Sequence, residues 1–269
     1  MIDWARRHPL TTYYVLAVAI STGLALLLNV SLVFGLLALF GPALAAFIAS
    51  RLAAGGEGVR ALWTRTTRWR VNPFYYLAAI GLPLIAYAIG LAAYVLLGNP
   101  APDIPGEITI VGLVLFVLVI GEEIGWRGFM LPILLGRMSP LLASGVTGVL
   151  WALWHAPLYF LPGMPSFGDP YLAFVAWVIP LTFVLTWLWL RTRSVIVATV
   201  AHGSANLVSG LVLPLEDPGL RFLFSGFGFA VVAVVLVLGS RREFLASPPQ
   251  GSATDAGLVE PELTETSNA

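Results

Sequence analysis

The chain has no cysteine and no lysine. Without cysteine it cannot form disulfides, iron–sulfur clusters or zinc sites built on thiolates. All 14 of its basic residues are arginine, which reads as a base-composition bias, not as function. They are matched by 14 acidic residues, so the formal net charge is zero and no basic surface points to nucleic acid. Charge is scarce overall. Only 10% of residues are charged, whereas a soluble domain carries about 25%. There is no internal repeat of the kind that marks inverted-repeat transporters. What the 269 residues do contain is apolar side chain, 58% of the total. The composition is that of a polytopic, all-α integral membrane protein.

Met1 to His8 opens like a signal peptide, but the apolar run that follows, Leu10 to Ser50, far exceeds a signal h-region of about 7–15 residues. At about 20 residues per span it is expected to be two retained helices. Their break is expected near Asn29-Val30-Ser31, with a kink at Gly41-Pro42. Arg51 to Arg70 reads as a basic connector, with Trp63 and Trp69 suited to an interfacial belt. Further spans are expected over 72–97, 108–137, 140–160, 171–190, 194–213 and 221–239, making about eight. With the N-terminus cytoplasmic, Arg6, Arg7, the connector arginines, Arg137, Arg191, Arg193, Arg241 and Arg242 all fall on the cytoplasmic side. The opposite loops carry Asp103, Glu107, Asp169, Glu216 and Asp217 against Arg221. This split follows the positive-inside rule and places both termini in the cytoplasm. The expected organisation is one transmembrane domain over 1–246, with a core at about 108–213, and a disordered polar tail over 247–269.

One stretch breaks the apolar pattern. Gly121-Glu122-Glu123-Ile124-Gly125-Trp126-Arg127 lies in the middle of the fourth span. A charge at a helix centre costs roughly 2.5–3.5 kcal/mol on insertion scales, so three facing lipid unpaired would cost on the order of 8–10 kcal/mol. They must face protein or a wet cavity. Glu123 and Arg127 are four residues apart with the acid first, the favourable order for an ion pair. Glu122 is turned about 100° away and has no partner on its own helix. Two of the three histidines are also intramembrane. His155 shares a helix face with Trp151, and His202 shares one with Asn206. His8 sits beside Arg6 and Arg7 and reads as interfacial. Trp151 and Trp154 read as packing residues. In straight helices Glu122, His155 and His202 do not fall at one depth, so a common site requires tilt or later helix starts.

The ordered set resembles the CPBP family, the CAAX-protease and bacteriocin-processing intramembrane proteases also called the Abi family. Its motifs E-E-x-x-x-R, F-x-x-x-H and H-x-x-x-N read here as Glu122-Glu123 to Arg127, Trp151 to His155, and His202 to Asn206. Trp151 replaces the usual Phe. The resemblance implies an intramembrane endopeptidase of the cell membrane. Glu122 and His155 would activate water, His202 and Asn206 would stabilise the oxyanion, and Glu123 and Arg127 would support the first helix. The chemistry agrees, since peptide hydrolysis needs a base for water and donors aimed at the tetrahedral oxygen. A metal version uses Glu122, His155 and His202 as zinc ligands with one open position. The expected cofactor is therefore none or Zn²⁺, with the metal-free form leading. Expected partners are membrane lipid and a peptide or protein substrate at the membrane. The rival reading is a non-catalytic immunity or regulatory protein that retains the family core. A proton- or ion-coupled transporter is a third, weakened by the absence of repeats and of Gly/Pro-broken helix pairs.

Overall fold

A computed structural model describes residues 2–28, 30–103 and 110–248. Asn29, the loop residues Gly106 and Glu107, and the expected tail from 249 onward lie outside the described residues. All regular elements described are helical. In chain order they are α1 (Ile2–Arg7), α2 (Pro9–Ala25), α3 (Leu32–Ala38), α4 (Gly41–Thr67), α5 (Phe74–Leu96), α6 (Ile110–Leu118), α7 (Ile120–Glu123), a π-helical turn (Ile124–Met130), α8 (Leu131–Leu135), α9 (Pro140–Phe160), α10 (Tyr171–Thr192), α11 (Val195–Val212), α12 (Pro218–Gly239) and α13 (Arg241–Phe244).

Among the described residues, α5, α9, α10, α11 and α12 are long and apolar enough to cross a membrane by length and composition. The bent pair α3 and α4, turned by 45° at Leu39-Phe40, makes a sixth. Helix α2 is shorter, at 17 residues. The stretch expected as a fourth span is divided among α6, α7, the π-turn and α8. The protein is thus an all-α multi-pass membrane protein, with a bend where Gly41-Pro42 led one to expect it.

Helix starts follow local chemistry. Ser139 caps α9 by accepting from the Leu142 N–H, with Pro140 in the first turn. Ser194 caps α11 through Val197, and Asp217 caps α12 through Leu220 ahead of Pro218. Each cap satisfies an N–H the helix itself leaves open. Inside the spans, Ser144, Thr182, Thr192 and Thr199 donate their hydroxyls to carbonyls four residues back. That hides polar atoms without an interhelical partner, as an apolar surround demands.

The basic stretch expected as a connector is instead helical through Thr67. Arginine is a good helix former, and charge alone does not make a loop. The helix is interrupted at Ala54 and Gly55, where φ at Gly55 is +63°, a conformation glycine adopts without a Cβ penalty. The second half of α4 therefore departs from the first and packs on the π-turn. Its Arg65, buried, donates to the Gly128 carbonyl at 3.2 Å.

The helices pair in a closed circuit: α2 on α4, α4 on the π-turn, α6 and the π-turn on α11, α11 on α5, α5 on α12, α12 on α10, α10 on α9, and α9 back on α2. The last contact is fastened by the Tyr14 hydroxyl donating to the Leu150 carbonyl at 3.2 Å and the Trp154 indole to the Ala17 carbonyl at 3.3 Å. Packing is also close where α2 and α4 meet the π-turn. A Cβ on Gly125 would lie 2.5 Å from the Tyr13 hydroxyl and 2.6 Å from Pro42 Cβ. Gly125→Ala is therefore expected to destabilise the fold by about 1–3 kcal/mol through overpacking. Thermal unfolding of the purified protein in detergent checks this, and an unchanged midpoint would show that the α2–α4 wall yields.

Candidate active site

The charged motif sits at the joint between α7 and the π-turn. Glu122 and Glu123 are the last residues of α7, and Arg127 lies within the π-turn. A π-turn admits one residue more than an α-turn and frequently accompanies functional sites. All three charges are withdrawn from the surface: Glu122 is 3% exposed, Glu123 and Arg127 0%.

Glu123 is the electrostatic anchor. Its Oε1 accepts from Arg127 Nη1 at 2.9 Å and from His202 Nδ1 at 2.9 Å. The ion pair expected from the spacing is formed, and it extends to the third motif on α11. Removing one member of such a buried set leaves an uncompensated charge, which costs far more than an exposed pair contributes. Arg127 Nε and Nη2 and Glu123 Oε2 make no hydrogen bond to other described residues. Arg127 instead lays its guanidinium over the Trp151 ring, 4.5 Å from the centroid.

Glu122 does find a partner, on α9. The Trp151 indole N–H donates to Glu122 Oε2 at 2.9 Å. The same ring stands edge-on to His202, with centroids 4.9 Å apart and planes at 83°. His155 lies one turn further along α9, its ring centroid 6.0 Å from that of Trp151. His155 Nδ1 is 3.0 Å from the Trp151 carbonyl oxygen. A carbonyl only accepts, so Nδ1 carries the proton and Nε2 of the neutral ring is left as an acceptor. By the same logic His202 donates Nδ1–H to the Glu123 carboxylate, leaving its Nε2 unengaged. Asn206, half-buried, is one turn beyond His202 on α11.

The structure thus brings Glu122, Glu123, Arg127, His155 and His202 around one indole. The depth mismatch expected for straight helices is removed at the start of α11. A Cβ on Gly128 would lie 3.2 Å from the Val195 side chain, so α11 begins beside Gly128. That is about 10 Å along the helix axis from Leu135, the end of α8, at a rise of about 1.5 Å per residue. Ser194 holds this start by donating its hydroxyl to the Arg68 carbonyl.

The zinc set Glu122, His155 and His202 was the metal expectation. Among the described residues no three His, Cys, Asp or Glu side chains are grouped to hold an ion. Glu122 Oε2 accepts from Trp151 and each imidazole turns Nδ1 to a protein acceptor, bonds that leave Glu122 Oε1 and both Nε2 atoms unused.

Trp151 is the residue the sequence undervalued. It was expected to pack, yet it hydrogen-bonds Glu122, underlies Arg127 and abuts His202. The available signal was its departure from Phe, since a buried indole N–H normally needs an acceptor. Arg65 was assigned to a surface connector, and nothing in its local sequence marks it as reaching Gly128.

Comparison with known proteins bears on the same stretch. Residues 104–208 match the family model for Rce1-like, type II CAAX prenyl endopeptidase Rce1-like. A curated relative, CAAX prenyl protease 2 of Methanococcus maripaludis, is 31% identical over 141 residues, covering 49% of this chain and 51% of the relative. The chain therefore spans about half the length of the curated relative it matches. The matched segment contains all three motifs gathered around Trp151, and over that segment this membrane chain is similar to type II CAAX prenyl endopeptidases.

Proposed function

We propose that the chain is an intramembrane endopeptidase of the cell membrane that hydrolyses peptide bonds of membrane-associated substrates. The observation that carries this reading is the convergence of three motifs from three helices on one indole, with Glu122 at 2.9 Å and His202 at 4.9 Å from it. The similarity of residues 104–208 to a prenyl endopeptidase family supports the reaction class.

In this mechanism Glu122 Oε1 and His155 Nε2 flank the attacking water. One of them takes its proton as the oxygen adds to the scissile carbonyl carbon. The carbonyl oxygen becomes an oxyanion and receives hydrogen bonds from His202 Nε2–H and the Asn206 amide. Because Nδ1–H is held by Glu123, donation from Nε2 requires a second ring proton on His202 during this step. Collapse of the tetrahedral intermediate breaks the C–N bond, and the proton held by the base passes to the leaving amine. Glu123 and Arg127 hold His202 in place without touching the reacting atoms. The steps as written use Glu122, His155, His202 and Asn206 and call on no metal.

The substrate class follows from the surroundings. A cavity of about 220 Å³ lies beside the site, lined by Ala25, Leu36, Leu115, Trp154, Leu158 and Met164 among others. Trp154 is 4.6 Å from the His155 ring between centroids. This supports substrates that present an apolar segment next to the scissile bond.

Glu122→Gln is expected to lower kcat by about 10²–10⁴-fold, the usual contribution of a general base. Quantifying cleaved membrane peptides in variant and wild-type cells checks it. A biological effect that survives the substitution would favour the non-catalytic regulatory reading. Arg127→Met is expected to act differently, costing about 3–5 kcal/mol of stability by stranding Glu123. Unfolding in detergent separates the two effects, because Glu122→Gln should leave the midpoint nearly unchanged. Purified enzyme is expected to stay active after chelator treatment and to hold no stoichiometric zinc by elemental analysis. Zinc-restorable loss of activity would establish the metal version.

A further inference from the structure

We propose that Trp151 is a positioning residue that gives the two oxygens of Glu122 different tasks, anchoring Oε2 so that Oε1 alone meets the water. The proposal rests on the protease reading above and concerns how its base is aimed.

The geometry distinguishes this indole from the others in the core. Trp126, Trp177 and Trp189 are also buried, yet their indole N–H groups have no hydrogen-bond partner among the described residues. Burial alone therefore does not give every indole here an acceptor, and buried Trp154 donates only to a backbone carbonyl. Trp151 alone of these buried indoles is aimed at a carboxylate, at 2.9 Å. Glu122 Oε1, by contrast, accepts no bond from the described residues and is not among the enclosed polar atoms that lack a partner. The 3% of Glu122 that remains exposed is thus compatible with access at that oxygen.

Two further contacts fit the assignment. The Arg127 guanidinium over the ring, at 4.5 Å, draws density from the indole and makes its N–H a stronger donor. The ring edge against His202 fixes the spacing between the base and the oxyanion side. A phenylalanine, usual at this motif position, would fill much of the space but could not donate. A carboxylate with neither oxygen tied can rotate about its terminal torsion, and misdirection of the base costs rate without weakening substrate binding.

The test uses the full-length protein in detergent or liposomes. Trp151→Phe, and Trp151→benzothienylalanine introduced by stop-codon suppression, both remove the N–H, and the second retains the shape. Each is expected to lower kcat about 10–100-fold, the scale of losing an outer-layer hydrogen bond to a functional group, with KM within about twofold. Full kcat in the benzothienyl variant would reduce Trp151 to a space-filler and overturn the proposal. A second readout does not depend on turnover. The indole hydrogen-bond band in ultraviolet resonance Raman, isolated by subtracting the Trp151→Phe spectrum, is expected to shift in Glu122→Gln. An unshifted band would overturn the proposal whatever the activity. A shifted band in a wild-type protein that cuts no peptide would keep the bond and overturn the protease reading on which the assignment rests.

Discussion

The structure depends on how Glu123 is neutralised. A carboxylate with no exposure, in a chain surrounded by lipid, costs several kcal/mol unless compensated. Compensation comes from Arg127 on the same segment and His202 on α11, both bonded to one oxygen. That requirement fixes the pairing of the first and third motifs. The second motif is tied on through Glu122 and Trp151. Much of the surrounding architecture is explained by the need to hold these bonds in register. Helix α11 starts beside Gly128, Ser194 secures that start, and Arg65 engages the Gly128 carbonyl freed near the widened turn.

The segment matched to the protease family and the segment before it contribute different things. Residues 104–208 include every charged or imidazole side chain of the candidate site. The preceding helices supply its wall. Tyr13 and Pro42 press on Gly125, Tyr14 and Ala17 clasp α9, and Leu36 and Ala25 line the apolar cavity. On this division the candidate site residues lie in the matched segment, and α2 to α4 pack around it.

Much of this was readable from the residues. Polar punctuation marked the ends of α5, α9, α10 and α11, because proline, serine caps and flanking arginines act locally. The Glu123–Arg127 pair was readable for the same reason, since four-residue spacing on a helix fixes a contact within one turn. What escaped was non-local or conformational. The Trp151–Glu122 bond joins side chains 29 residues apart. His202 reaching Glu123 spans 79 positions. Nothing in Ile124–Met130 announces a π-turn, because that geometry is imposed by packing against α4 and α11 and not by propensity. The helicity of Arg51–Thr67 is not legible because a cluster of arginines reads equally well as a connector.

The π-turn acts as an index mark within its span. Rewinding Ile124–Met130 as α-helix would take up one residue less per turn and rotate everything beyond it by about 100°. Leu131, Ile133 and Leu134, now sealed in the interior, would swing toward the acyl chains while the carboxylates upstream stayed where they are. The turn therefore keeps two halves of one rod facing the same way, ionic upstream and oily downstream. Removing one residue within 124–130 together with that rewinding would cancel the rotation, so the surplus residue and the widened turn answer for each other.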